Sequence, residues 1–120
     1  MQQLSIVPRL LPAVRHGEKT HTLRWQEGDI HPGPLRYYNQ QNPADTLVVW
    51  VTKVETLPLS AAAERLGKQA EWPDEVLLAG MREHYPAIEL NSEVQLVHHL
   101  TPEATRQKMA KSASEVLHHP

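Results

Sequence analysis

The chain has 120 residues, 40% hydrophobic and 22% charged, with a formal charge of −2 from 12 basic and 14 acidic side chains. That size and balance describe one globular domain and exclude overall disorder. The acidic balance argues against a general duplex-binding protein, which needs a basic excess to neutralise phosphate, and the absence of cysteine excludes disulfides, thiol catalysis and cysteine-based zinc sites.

No apolar run approaches the roughly 20 residues that span a bilayer. The start, Met1-Gln2-Gln3-Leu4-Ser5, lacks the basic and apolar stretches of a signal peptide, so a cytoplasmic protein with no membrane partner is expected. There is no Phe, so Leu, Val and Ala have to fill the core beside Trp25, Trp50, Trp72, Tyr37, Tyr38 and Tyr85. The polar edges of those rings place several of them at a boundary or a pocket wall.

Leu4 to His16 reads as a loop and then a short helix. Val7, Leu10, Leu11 and Val14 have helical spacing, Pro8 and Pro12 forbid one long helix, and Gly17 is placed to end it. Lys19 to Trp25 reads as a Thr-rich strand, Leu35 to Tyr38 as a second, and Asn39 to Asp45 as a loop. Thr46 to Thr56 is the strongest strand, and its continuous apolar core predicts burial on both faces. Ser60 to Leu66 and Pro73 to about His84 read as helices, the second with Asp74 and Glu75 in its first turn. Glu93 to Leu100 is a closing strand, and Pro102 to about Leu117 a polar, loosely docked helix. Four strands with a helical insertion before the last give an α+β fold that a small barrel would close. Residues 1–100 form the domain, with 101–120 as its helical extension.

Gly17-Glu18-Lys19-Thr20-His21-Thr22-Leu23-Arg24 carries the densest chemistry, with an amine, hydroxyls, an imidazole and a guanidinium just after a helix stop. A lysine serves as nucleophile or base only when burial or another cation lowers its pKa, and Arg24 is a candidate for the second cause. Side chains alternate along a strand, so Thr22 and Arg24 share a face while Lys19 lies opposite. Lys19 must therefore sit in the turn after Gly17, or at a bulge, to meet them.

A metal site is not expected. His16 and His21 are separated by the helix stop, adjacent His98 and His99 point to opposite sides of a strand, His118 and His119 lie at the terminus, and no His-Glu-x-x-His spacing occurs.

The spacing G-x-K-x-x-T-x-R resembles the signature of the ASCH domain family, which is similar in fold to PUA RNA-binding domains. The likeness continues through Gly28-Asp29, an acidic residue at Glu71, Tyr85-Pro86 and a final strand, covering roughly Ile6 to Leu100. It implies a PUA-like small β-barrel with flanking helices. Small members of the family include amidohydrolases that deacylate N4-acetylcytidine with a Lys, a Thr and a Glu; others cut or bind RNA. Carried over, the resemblance implies catalytic Lys19, Thr22 and Glu71, without metal or organic cofactor. Glu71 requires a one-residue gap, and Asp74 and Glu75 compete for its role. Arg24, Arg9 and Tyr85 would hold a nucleoside substrate. Lys19 would initiate attack directly or through water, Thr22 would orient the water or donate to the oxyanion, and Glu71 would protonate the leaving amine. The alternative is an RNA-binding or RNA-cutting module using the same groove.

Overall fold

The computed structural model describes the backbone of residues 1–118 and the side chains of 1–114, so the side chains of the terminal pair His118 and His119 lie outside the described residues. Five strands form one curled sheet, one more than the sequence pattern predicts. The additional strand is β1, Gln2–Ile6, where the pattern predicts a loop. Only Leu4 and Ile6 point inward from it. Such a short strand, with polar Gln2, Gln3 and Ser5 between, gives almost no periodic signal. What holds it is tertiary: parallel pairing with β3, Gly33–Asn39, from Gln2↔Leu35 to Ile6↔Asn39.

A 3-10 turn at Pro8–Leu10 leads into α1, Leu11–Arg15, which buries Leu11 and Val14 and carries Pro12 in its first turn as expected. Gly17 ends it with φ +81°, and a Cβ there would lie 3.1 Å from Thr101 Cγ2, so both conformation and space require glycine. β2, His21–Arg24, pairs antiparallel with β5, Glu93–His99.

β3 turns into β4, Asn42–Pro58, through Gln40 and Gln41. The Asn39 side-chain oxygen accepts from the Gln41 and Asn42 amides (2.8 and 3.3 Å), compressing the expected loop into a tight turn. β4 pairs with β3 up to Val51 and with β5 beyond it, with a bulge between Val51 and Lys53 where the partner changes. A bulge there bends and twists the strand, which curls the sheet.

The strand order is β1-β3-β4-β5-β2, with β1·β3 the parallel pair, so the first two strands of the chain lie at opposite edges. Inside the curl, Leu4, Ile6, Leu35, Val49, Val51 and Val97 form the main core with α1. A second core joins α2, Leu59–Arg65, and α3, Asp74–Arg82, to β5 through Leu59, Ala62, Leu77, Ile88 and Val94. α4, Pro102–His118, covers the outer face of β4: the Trp50 amide donates to buried Thr105 Oγ1 at 2.8 Å, and Lys108 Nζ stands 4.9 Å from the Trp50 ring. Trp50 is half-buried beneath this helix, whereas Arg106 to Ser114 are exposed, so α4 docks through its first turn.

Candidate functional site

The curl turns the two free edges toward one another, and α3 spans the opening. The result is a cleft of about 470 Å³ lined by β1 and the turn after it, by Lys19 and His21 to Arg24, and by Trp72, Met81, His84 and Tyr85 around α3. That volume is in the range of small-molecule sites. The cleft wraps the free edge of β2, so residues from both faces of that strand reach it.

Lys19 is not in the strand. After Gly17, the Glu18 and Lys19 amides both donate to the Ala13 carbonyl (2.9 and 3.0 Å), and β2 begins only at His21. The alternation that would separate Lys19 from Thr22 therefore never applies. Its amine sinks into the cleft, where burial first, and then the charges of Arg24 and Lys68, lower its pKa to about 8.

Arg24 is buried, with Nε donating to Thr22 Oγ1 at 2.9 Å and Nη1 to Glu27 Oε2 at 3.3 Å. Gln26 has φ 56°, and this left-handed residue folds Glu27 back onto the guanidinium three residues before it. Tyr85 packs edge-on to Trp25, centroids 6.0 Å apart. Burial raises its phenol pKa, with Arg24 opposing and Glu27 adding to the rise through charge and a hydrogen bond.

Behind Thr22 lies an interior pair. The fully buried Tyr37 hydroxyl and His99 Nε2 are 3.0 Å apart, and His99 Nδ1 is 2.8 Å from the Leu100 carbonyl. Burial pushes His99 down to about 4 and Tyr37 up to about 12; Arg24 and a Thr22 hydrogen bond partly offset the latter. His21 meets Trp72 edge-on at 6.0 Å, and burial followed by the Lys19 charge lowers its pKa to about 4. Its Nε2 is the one buried side-chain polar atom without a hydrogen-bond partner among the described residues.

The structure thus brings Arg9, Lys19, Thr22, Arg24 and Tyr85 to one cleft. Arg9 stands at its mouth, paired with Glu83 at 3.0 Å. Glu71 is placed apart: its carboxylate is exposed, does not line the cleft, and pairs with Lys68 at 3.5 Å. Asp74 and Glu75 are exposed in the first turn of α3 and also lie off the cleft. Sequence reasoning passed over the carboxylates that do line it, Glu27 beside Arg24 and Glu83 beside Arg9, and the Tyr37–His99 pair. A polar residue in a loop and two residues in apolar strands give no local signal of convergence. His98 and His99 do point to opposite faces, His98 Nε2 lying 2.7 Å from Glu55 Oε2 on the outside. Among the described residues, no three His, Asp or Glu side chains are grouped to hold a metal, and no helix is long and apolar enough to cross a membrane.

No family model and no curated protein matches the sequence. Among solved structures, the chain is similar to a mutant of ZmASCH, the ASCH protein of Zymomonas mobilis, with a TM-score of 0.62 over 83% of this chain and 67% of that one. The fold is ASCH-like. At 12% identity the likeness extends to the α+β half-barrel and its flanking helices, and to nothing chemical.

Proposed function

We propose that this ASCH-like protein is an amidohydrolase that removes the acyl group from N4-acetylcytidine-type nucleosides. The observation that carries the reading is the Lys19 amine, sunk in a cleft of small-molecule size beside two other cations, with a pKa of about 8. An ordinary lysine is protonated at neutral pH and useless as a base, whereas one near 8 supplies free amine to a useful fraction.

In the proposed reaction the Lys19 amine takes a proton from water as the water oxygen bonds to the acyl carbon. The C=O π electrons move onto oxygen, and Arg24 stabilises that charge. The tetrahedral intermediate then collapses, the C–N4 bond breaks, and N4 leaves with a proton, giving a carboxylic acid and cytidine. Glu71 is the proton shuttle of this reading. It is joined to the site by Lys68, whose charge acts on Lys19, and must swing inward from that pairing to deliver. Glu27 is the competing carboxylate. Tyr85 and Arg9 hold the nucleoside.

The rival reading, a track for RNA, is disfavoured by charge pairing. Arg24 is engaged by Glu27 and Arg9 by Glu83, so a phosphate backbone would have to displace both carboxylates. A neutral nucleoside displaces neither.

The test is incubation of the purified protein with N4-acetylcytidine in metal-free buffer, following cytidine by chromatography, with Lys19→Ala alongside. Release by the wild type and not by the folded variant is expected. Equal release by both removes Lys19 from the chemistry. No release by a folded wild type rejects the substrate, and salt-dependent RNA binding becomes the next measurement.

A further inference from the structure

One residue in the wall of the cleft is unfavourable where it stands. Gly80 lies inside α3 and lines the cleft. It lacks the positive φ of Gly17, Gly28, Gly33 and Gly67, so its backbone suits any helix former. A Cβ built on it meets nothing within 4 Å, so packing does not require glycine either. Against alanine, a glycine inside a helix costs about 1 kcal/mol. What the missing side chain provides is space in the cleft.

That space has polar company. Val76, Gly80 and Glu83 follow at i, i+4 and i+7 on one face of α3, and all of them line the cleft. Val76 is 51% exposed, and Gly80 leaves a notch between it and Glu83. Across the mouth, Arg9 Nη2 donates to Glu83 Oε2 at 3.0 Å, and both side chains are more than half exposed. Among the described residues, this pair engages one carboxylate oxygen and one guanidinium nitrogen. The second oxygen and the other N–H groups are left for a ligand in the notch.

The shape of an N4-acylated nucleoside decides which part reaches that notch. In the pyrimidine ring, C4 carries the amide nitrogen and lies opposite N1, which carries the sugar. With the amide at Lys19, which is partly buried, the sugar points back toward exposed Arg9 and the mouth. A ribose presents adjacent 2′ and 3′ hydroxyls, each both donor and acceptor. One donates to the free oxygen of Glu83, as ribose hydroxyls do to carboxylates in dinucleotide sites, and the other accepts from Arg9. The ion pair stays intact.

We infer that the notch at Gly80, with Glu83 and Arg9 at its rim, is a ribose subsite that prefers ribonucleosides to 2′-deoxyribonucleosides. This rests on the amidohydrolase reading for the direction in which the substrate enters.

The test uses N4-acetylcytidine, its 2′-deoxy analogue, and N4-acetylcytosine, which has no sugar. The wild-type KM is expected to be at least about tenfold lower for the ribonucleoside than for the deoxy analogue. Glu83→Ala abolishes that preference. Gly80→Val raises KM for N4-acetylcytidine at least about tenfold and leaves N4-acetylcytosine within about twofold, whereas a merely structural defect weakens both. Gly80→Ala guards against a damaged helix: as the better helix former it raises the urea midpoint while still raising KM for the nucleoside. Equal KM for ribo- and deoxyribonucleoside in the wild type, or equal loss of both N4-acetylcytidine and N4-acetylcytosine in Gly80→Val, overturns the inference. If the wild type hydrolyses none of these amides, the amidohydrolase reading falls by itself, and binding decides the subsite. Cytidine, 2′-deoxycytidine and cytosine are then titrated against 15N-labelled protein, following the Gly80 amide signal. Tightest binding by cytidine, with that signal moving, supports the subsite; equal binding by all of them, or by none, overturns it.

Discussion

His98 and His99 are neighbours on β5, yet they belong to two regions that treat charge in opposite ways. His98 faces outward to Glu55, which also takes Arg65 Nε at 2.9 Å and Lys53 Nζ at 3.3 Å. The hydrogen bonds from Arg65 and then His98 hold the Glu55 carboxyl down to about 2. His99 faces inward to Tyr37, behind a cleft in which burial is the first cause of every shift, at Lys19, His21, Tyr85 and His99 itself. The outer cluster gathers opposite charges and holds the Glu55 carboxylate and the Arg65 guanidinium more firmly in their charged forms. The inner one withholds water, and so pushes a lysine and two histidines toward their neutral forms. Similar side chains a few ångströms apart become an inert ion-pair network or a reactive site according to solvent access, because surface pairs are screened and buried groups are not.

The largest expected effect separates the two regions outright. Lys19→Met lowers turnover of N4-acetylcytidine by about 10²- to 10⁴-fold, the usual scale for losing a general base. Glu55→Gln leaves turnover within about twofold, because Glu55 lies outside the cleft. Stability moves the other way. The folded pKa of Lys19, about 8, lies below the ordinary 10.5, so the protonated amine opposes folding below pH 8. That opposition is relieved as pH rises from about 8 to 10.5. Lys19→Met is therefore more stable than wild type at pH 7, by about 1–3 kcal/mol, with the gap closing by pH 10.5 in urea titrations. A variant that loses stability at pH 7 contradicts a desolvated Lys19. In the wild type, kcat/KM rises with pH and levels off above about 8.

A smaller effect bears on which carboxylate serves the cleft. Glu71→Gln is expected to lower kcat by about 10²-fold with little change in KM. Glu27→Gln loosens Arg24 and costs about tenfold, divided between kcat and KM. The opposite order in steady-state kinetics transfers the shuttle to Glu27 and leaves Glu71 as a surface partner of Lys68.

Much of the fold was legible because periodicity and punctuation agree. Pro12 and Gly17 bracket α1, Ser60 and Pro73 open helices close to where α2 and α3 begin, and the apolar run of β4 is plain. β1 was not legible, since two inward residues make no pattern and its reason to exist is a partner more than 30 residues away. The full length of β4 was hidden as well, because Asn42, Pro43 and Ala44 are exposed and carry no strand pattern, and Asn42 is tied to β3 only through its pairing with Asn39. Of the cleft, the contiguous Lys19, Thr22 and Arg24 could be singled out from spacing. Glu27 could not, because its return depends on the left-handed turn at Gln26. Nor could Tyr37 and His99, 62 positions apart and brought together by strands on either side of β4.

Acid gives the finest comparison of the two regions, because it reaches them in turn. The folded pKa values of His21 and His99, about 4, lie below the ordinary 6.5, so their contribution to stability is complete above 6.5 and is lost as pH falls toward 4. Unfolding in that window takes up about two protons, and for buried His99 the slope approaches about 1.4 kcal/mol per pH unit. Glu55 follows lower on the scale: its contribution is present above 4.5 and lost as pH falls through about 2. Urea midpoints measured from pH 7 to 3 are therefore expected to decline first between 6.5 and 4. That first decline shrinks in His21→Leu, while Glu55→Gln leaves it in place and removes only the later one. A midpoint that stays flat from pH 7 to 5 in the wild type means the interior histidines carry their protons without cost. The inner region would then be as wet as the outer, and the desolvation that sets Lys19 apart would go with it.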